Sequence, residues 1–291
     1  KYPICTWTVI KNKVYTMRYI MEKIKASVLL LTQNNENSIK RCLDSLVAFD
    51  EVVMIDGGSK DKTLEIANSY ENVKVTFNPW PGFVEQRNFS IEKASHDWCF
   101  MIDSDEAATA QLIAEIRKVL SNNPDKKMYR VMRTEFYLGK ATEFGFGRSN
   151  WQERLFLKKH ITYTGGVHHQ HLIDGVHQSQ AQEQIGNLDP DARVLHDEEY
   201  GLKDWAMKLP RFAILRAEEK IRAGRKMSGL EVFLEFPLTF IKIGKQNLKH
   251  REIGFVITLQ TAIFRTLVKL IIYEKTRIGF DARDKNVKKL G

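Results

Sequence analysis

Asp97-Trp-Cys-Phe-Met-Ile-Asp-Ser-Asp-Glu106 decides how this chain reads. Trp98 to Ile102 is an apolar run of aromatic and branched side chains, and it stops at three carboxylates, Asp103, Asp105 and Glu106. A buried strand of a parallel sheet has this form, with charge delivered at its carboxyl end. Asp103 and Asp105 stand two apart, so an extended backbone aims them the same way, and a turn just past the strand can bring both to one ion. Carboxylates so placed suit Mg2+ or Mn2+, with a substrate's phosphates completing the shell. The same letters also suit a strand running into an acidic helix start.

Upstream of that strand the pattern alternates. Ser27 to Leu31 reads as a strand, Thr32-Gln-Asn-Asn-Glu-Asn37 as a polar turn, and Ile39, Cys42, Leu43 and Leu46 recur at helical spacing. Glu51 to Ile55 is a second strand ending at Asp56-Gly-Gly-Ser59, with a helix around Leu64 to Tyr70 behind it. Val73 to Phe77 is a third strand; the turn Pro79-Trp-Pro-Gly82 and a helix from Val84 to Ala94 lead into the opening stretch. Strands and helices joined by short links predict a mostly parallel sheet flanked by helices. Such sheets gather ligands at the carboxyl ends of their strands. Gly57-Gly58 lets a backbone approach a ligand closely, and Asp56 can accept hydrogen bonds from a base or ribose, although a tight turn alone explains two glycines as well. Neither Gly-x-Gly-x-x-Gly nor Gly-Lys-Ser/Thr occurs, so a dinucleotide fingerprint and a P-loop are not supported.

A chain of 291 residues, 43% hydrophobic, can bury a substantial core. Its three cysteines, Cys5, Cys42 and Cys99, match no ligand spacing and point to a reducing compartment. The net charge of +9 is unevenly placed: residues 201–291 hold 20 Lys and Arg against 9 Asp and Glu, while residues 1–200 are nearly balanced. That asymmetry directs the last third toward an anionic surface. Residues 1–25 have no clear period and lack the uninterrupted apolar stretch of a secretory signal; they read as a flexible extension. Beyond Gly201 the chain reads as helical. A helix over Trp205 to Ala223 stops at Gly224, an apolar segment from Val232 to Ile243 is broken by Pro237, and Ile253 to Phe264 runs twelve residues without a charge before Arg265 and Lys269. Twelve residues are too few to span a bilayer, but fit a helix lying in its anionic interface, or an ordinary core helix.

Taken together, Thr32-Gln-Asn-Asn-Glu36, Val53-Met-Ile-Asp-Gly-Gly-Ser-Lys-Asp-Lys-Thr63 and Asp103-Ser-Asp-Glu106 resemble the family 2 glycosyltransferases, with the last as their DxD motif. Gly82-Phe-Val-Glu-Gln-Arg-Asn88 and Arg154-Leu-Phe156 narrow the resemblance to the branch containing lipopolysaccharide core glucosyltransferases. The resemblance runs from about residue 26 to 200. It implies an α/β GT-A fold, a Rossmann-like mostly parallel sheet flanked by helices. Residues 26–200 would form the catalytic domain (donor half 26–110, acceptor half 111–200), with 201–291 a basic helical, membrane-associating segment. It also implies inverting transfer of a hexose from a nucleotide-sugar donor, with UDP the expected nucleotide. Thr32, Asn34, Glu36, Asp56, Gly58, Ser59, Arg87, Asp103 and Ser104 would bind the donor, and Asp103 and Asp105 would hold Mg2+ or Mn2+.

The chain departs from the branch in two places. An acidic residue commonly follows the histidine of a Val/Ile-His-Glu segment, but Val167-His-His-Gln-His171 puts His169 there. A neutral imidazole can take a hydroxyl proton near pH 7, so His169 is the expected base, with Glu153, Asp174 and Glu143 as carboxylate substitutes. Asn150 stands where relatives tend to carry Asp. The histidine run itself has no ligand spacing of a closed zinc site. His196 resembles another recurrent family histidine, with a structural hydrogen bond as its default role. The expected acceptor is lipid-linked or a lipopolysaccharide core, reached from the cytoplasmic face of the membrane. A polyprenyl-phosphate sugar synthase is the rival within the class. A nucleic-acid-binding protein is the rival outside it, and no nucleic-acid partner is expected because the basic tail carries no reading motif.

Overall fold

The computed structural model describes residues 22–137, 140–142, 150–165, 170–196 and 202–279. Parallel strands β1 (Ile24–Thr32), β2 (Phe49–Asp56), β3 (Val73–Phe77) and β4 (Trp98–Asp103) lie in the order β3-β2-β1-β4. Every residue of β1 but Lys25 is buried, as a central strand covered on both faces requires. β1 starts at Ile24, inside the stretch read as a flexible extension, because Ile24 already hydrogen-bonds the carbonyl of Ala48. Helices α1 (Ile39–Asp44), α2 (Thr63–Ala67) and α4 (Ala110–Ser121) cover one face. There Ile39, Cys42, Leu43, Leu112 and Ile116 pack with Phe100 and Ile102. Helix α3 (Phe83–Lys93) covers the other through Val84, Phe89 and Ile91 against Cys99 and Met101.

The second half extends the same sheet. Strands β5 (Glu106–Ala108), β6 (Met128–Tyr137), β7 (Lys140–Thr142) and β8 (Trp151–Leu157) follow, with β8 antiparallel between β4 and β6. A three-stranded sheet of β9 (Ile161–Thr164), β10 (Gln170–Ile173) and β11 (Val176–His177) packs on the α3 side. Strands β12 (Ile185–Asn187) and β13 (Arg193–His196) return to run parallel beside β6, and β5 closes the edge antiparallel to β13.

Three helices end the described chain, α5 (Leu202–Arg222), α6 (Gly229–Asn247) and α7 (Arg251–Tyr273). Gly224 takes φ +78° just past α5, the left-handed conformation that ends helices. Two expectations need correction here. Pro237 does not break its segment; α6 runs through it, with Pro237 standing on the exposed side. The twelve-residue apolar run is part of a helix of 23 residues, and Arg251–Ile278 is long and apolar enough, by length and composition, to cross a membrane.

One buried carboxylate fastens the front of the sheet. Glu51 on β2 accepts hydrogen bonds from Ser27 of β1, from Lys74 Nζ of β3 at 2.8 Å and from the Ser95 amide before β4 at 2.9 Å. Burial works to raise its pKa, but Lys74, Ser27 and Ser95 outweigh it and bring it down from 4.5 to about 2. Its folded value lies below its unfolded one, so its stabilisation is complete above about pH 4.5 and is lost as the pH falls through about 2. Glu51→Gln is therefore expected to cost at most about 3 kcal/mol at pH 7 and progressively less below pH 4.5. Urea unfolding at pH 7 and pH 3 checks this, and an equal loss at both would refute it.

Candidate active site

The parallel register brings the polar turns together. Leu31 pairs with both Ile55 and Asp103, and Thr32 pairs with Asp56, so the ends of β1, β2 and β4 lie side by side at one level. The first two turns are laced to each other. Asn34 takes φ +57°, its amide donates to Ser59 Oγ at 2.9 Å, and its side-chain carbonyl accepts from the Lys60 amide at 2.8 Å. Glu36 accepts from the Lys62 amide at 3.1 Å, and Thr32 Oγ1 donates to Asn35 Oδ1 at 3.0 Å. Asp56 is buried, and its carboxylate accepts from the amides of Gly58 at 2.9 Å and Ser59 at 3.0 Å. The turn needs φ +103° at position 58, which glycine adopts without strain. In this structure these residues shape a rigid lip, and Asp56 spends its oxygens on its own turn.

At the end of β4 the charges are denser. Asp103 and Asp105 keep 31% and 29% of their side-chain surface open, whereas Ser104 between them is buried. Behind Asp103 lie two guanidinium groups, Arg87 Nη2 at 3.9 Å and Arg154 Nη2 at 3.4 Å, both buried. Arg87 lies over the rings of Phe83 and Tyr163, with its Cζ 5.4 Å and 5.5 Å from their centroids. Its neighbours in α3 are equally committed: Gln86 bonds the carbonyl of Asn78 at 3.1 Å, and Asn88 bonds the carbonyl of Tyr163 at 3.0 Å. The Gly82–Asn88 segment is thus a seam between α3 and the β9 strand.

Arg154 reaches Asp103 because β8 carries a bulge. Tyr129 pairs with Leu155 and Arg130 with Glu153, which leaves Arg154 as the extra residue, re-aimed toward β4. Its guanidinium also bonds Glu106 at 2.7 Å and Gln152 at 2.8 Å. Glu106 is fully buried; burial pushes its carboxyl up, against the pull of Arg154, and it also accepts from the Asp103 amide at 3.0 Å.

Asp105 faces a histidine from the far end of the domain. β13 pairs His196 with Glu106 on one side and Glu135 on the other. Its Nδ1 lies 2.6 Å from Glu135 and its Nε2 lies 3.5 Å from Asp105. Burial would lower the His196 pKa, but Asp105 and Glu135 override it and push it up to about 10, so the ring is an imidazolium. In return His196 holds the Asp105 carboxyl below its ordinary value, against burial.

This donor set fits a hard divalent cation. Two part-exposed carboxylates meet at one strand end, enough for an ion whose remaining ligands are phosphate oxygens or water. Among the described residues no group of three or more His, Cys, Asp and Glu is spaced as a closed metal cage. The expected bases fare differently. His169 and Glu143 lie outside the described residues. Glu153 bonds Arg130 Nε at 2.9 Å beside the Arg154 bulge. Asp174 is held by Lys127 and by His160 at 2.6 Å. Lys127 adjoins the amino end of β6 and the carboxyl end of β8, so Asp174 sits at the opposite edge of the sheet from Asp103. Two further polar atoms lie near the arginines, one on Tyr163, which the sequence did not single out, and one on His171 of the histidine run. Tyr163 Oη and His171 Nε2 are buried without hydrogen-bond partners, their rings 4.5 Å apart. A strand alternation such as Ile161-Thr-Tyr-Thr164 marks Tyr163 as inward-facing, but not its neighbours.

Comparison with known proteins matches residues 27–169 to the family model described as Glycosyl transferase family 2. The chain is 24% identical over 263 residues to the lipopolysaccharide core biosynthesis glycosyltransferase LpsC of Rhizobium meliloti, covering 88% of this chain and 94% of that one. An uncharacterized glycosyltransferase of Rickettsia typhi is 27% identical over 222 residues, 75% of each chain. Among solved structures, Staphylococcus aureus TarS 1–349 in complex with UDP-GlcNAc is 16% identical, with a TM-score of 0.49 over 89% of this chain and 93% of that one. Glucosyl-3-phosphoglycerate synthase from Mycobacterium tuberculosis, in complex with Mn2+, UDP and phosphoglyceric acid, is 20% identical, with a TM-score of 0.47 over 70% and 80%.

Proposed function

We propose that this chain, which belongs to the family 2 glycosyltransferases, moves a hexose from a UDP-sugar to a lipopolysaccharide-core or other lipid-linked acceptor, with inversion and with the help of Mg2+ or Mn2+. The observation that carries the reading is the pair of part-exposed carboxylates, Asp103 and Asp105, delivered with Thr32 and Asp56 to one edge of a parallel sheet. The relative that supports the acceptor is LpsC, whose name assigns it to lipopolysaccharide core biosynthesis and whose length this chain nearly spans.

Asp103 and Asp105 would hold the divalent cation, which would supply positive charge to the departing diphosphate. Arg154 and Arg87 fix the direction of the Asp103 carboxylate from behind, so its open oxygen surface faces the ligand side. His196 does the same for Asp105 through Glu135. The lip of Thr32, Asn34, Glu36, Asp56, Gly58 and Ser59 receives the nucleotide, with Ser104 backing the Asp pair. The acceptor's proton is assigned to His169, and to Glu153 if a carboxylate serves. The acceptor is lipid-linked, and the basic segment of residues 201–291 meets the anionic inner face of the cytoplasmic membrane, where such acceptors are presented.

The test is transfer of labelled hexose from UDP-glucose or UDP-galactose with Mn2+, offered either lipopolysaccharide core oligosaccharide or polyprenyl phosphate. Labelled oligosaccharide is the expected product. Labelled polyprenyl phosphate would replace this acceptor by the phosphate nucleophile of a synthase, and no product with any UDP-sugar and either acceptor would overturn the proposal.

A further inference from the structure

Helix α6 is built inside out. Toward α7 it buries Glu235, Thr239 and Asn247, whereas Leu230, Phe233, Leu238 and Ile241 on its other side are 67%, 76%, 60% and 58% exposed. These positions recur at helical spacing, so with Leu234 they form one apolar stripe about three turns long. A helix surrounded by water does the reverse, and contiguous exposed apolar surface of this kind marks a docking face. Two of these inward polar side chains, Glu235 and Thr239, are paired, while Asn247 Nδ2 is buried without a hydrogen-bond partner. Glu235 bonds Arg265 Nε at 2.6 Å and Lys269 Nζ at 2.5 Å, both from α7, and accepts from Thr239 Oγ1 at 2.8 Å. Helices that face lipid show this partition, with charges paired inward and large side chains outward.

Cations border the stripe. Arg225 and Lys226 precede α6, Lys242 and Lys245 run along one flank of its last turns, and Arg251 opens α7; all are exposed. α7 turns Ile257, Ala262, Val268 and Ile272 inward and leaves Phe255, Ile263 and Leu270 exposed, but the more exposed apolar stripe is that of α6.

We propose that the Leu230–Ile241 face of α6 lies in the boundary between headgroups and acyl chains of an anionic bilayer, with the flanking cations on the lipid phosphates. This deepens the membrane part of the proposed function and is independent of the sugar chemistry, since none of these residues touches the strand ends where transfer is placed.

The full chain is mixed with vesicles of phosphatidylcholine, with or without phosphatidylglycerol, and recovered by flotation. Binding is expected to the anionic vesicles, and Phe233→Glu with Leu238→Glu is expected to weaken it about a hundredfold. Both side chains are exposed, so the doubly substituted protein should keep the parent's circular dichroism and melting temperature, and should transfer sugar to a soluble acceptor oligosaccharide at the parent's rate. Unchanged vesicle binding by that variant overturns the proposal. A parent that ignores anionic vesicles and elutes as a dimer that the same substitutions dissociate also overturns it, assigning the face to a second copy. Failure of transfer by the parent to any soluble acceptor counts against the enzymatic reading and leaves the vesicle result to stand by itself.

Discussion

Asp105→Asn is expected to lower kcat for sugar transfer about a thousandfold while leaving the fold intact. The substitution keeps the side chain's size and an oxygen for His196 Nε2, 3.5 Å away in the parent. What it removes is the negative charge that, with Asp103, would hold a divalent cation against the leaving diphosphate. No interior hole is made, because the Asp105 side chain is already 29% exposed. The loss should therefore appear in kcat and in Mn2+ affinity, measured by isothermal titration with UDP present, and not in the unfolding midpoint. A structural role would show the opposite profile, since His196 would lose one of the two carboxylates that keep it charged and the melting temperature would fall with activity preserved. Turnover within a few-fold of the parent would sink the assignment of Asp105 to the cation.

The strands that build this site were legible because each is a run of consecutive apolar residues with an abrupt polar end. Val73–Phe77 is no such run, since Lys74 and Thr76 interrupt it, yet it is read with the same limits from the sequence and from the structure, and the strand at Trp98 differs only by including Asp103. What stayed hidden is what depends on register. Nothing local marks Arg154 as buried; a one-residue bulge against β6 turns it toward Asp103, and a bulge costs no recognisable letter. His196 meets Asp105 only because β13 threads back between β6 and β5, a pairing between segments far apart in the chain. Arg87, expected to bind the donor, instead lies buried behind Asp103, since an isolated helix position does not say which face another element will cover. In α6 the polarity of the two faces is exchanged, so a rule that sends apolar residues inward fails there.

Arg154→Met should cost about 3–5 kcal/mol of stability, the largest structural penalty expected of a single change in the site. Arg154 and Glu106 are both buried and bonded at 2.7 Å, and Glu106 lies wholly out of water. Removing the guanidinium leaves that carboxylate with Arg133 Nη1 at 3.3 Å as its remaining bonded cation, one that is part-exposed and shared with Glu135. Burial already pushes the Glu106 carboxyl up, and losing the opposing charge of Arg154 should push it further in the same direction. Glu106→Gln added to Arg154→Met removes the uncompensated charge yet can still accept from the Asp103 amide, and is expected to recover most of the lost stability. Activity should not return with it, because Asp103 has lost one of the two guanidinium groups that aim it. Urea unfolding of the two variants separates these terms. A single variant less than about 1 kcal/mol below the parent, or a double variant no better than the single, would mean that this pair does not hold the end of β4 in place.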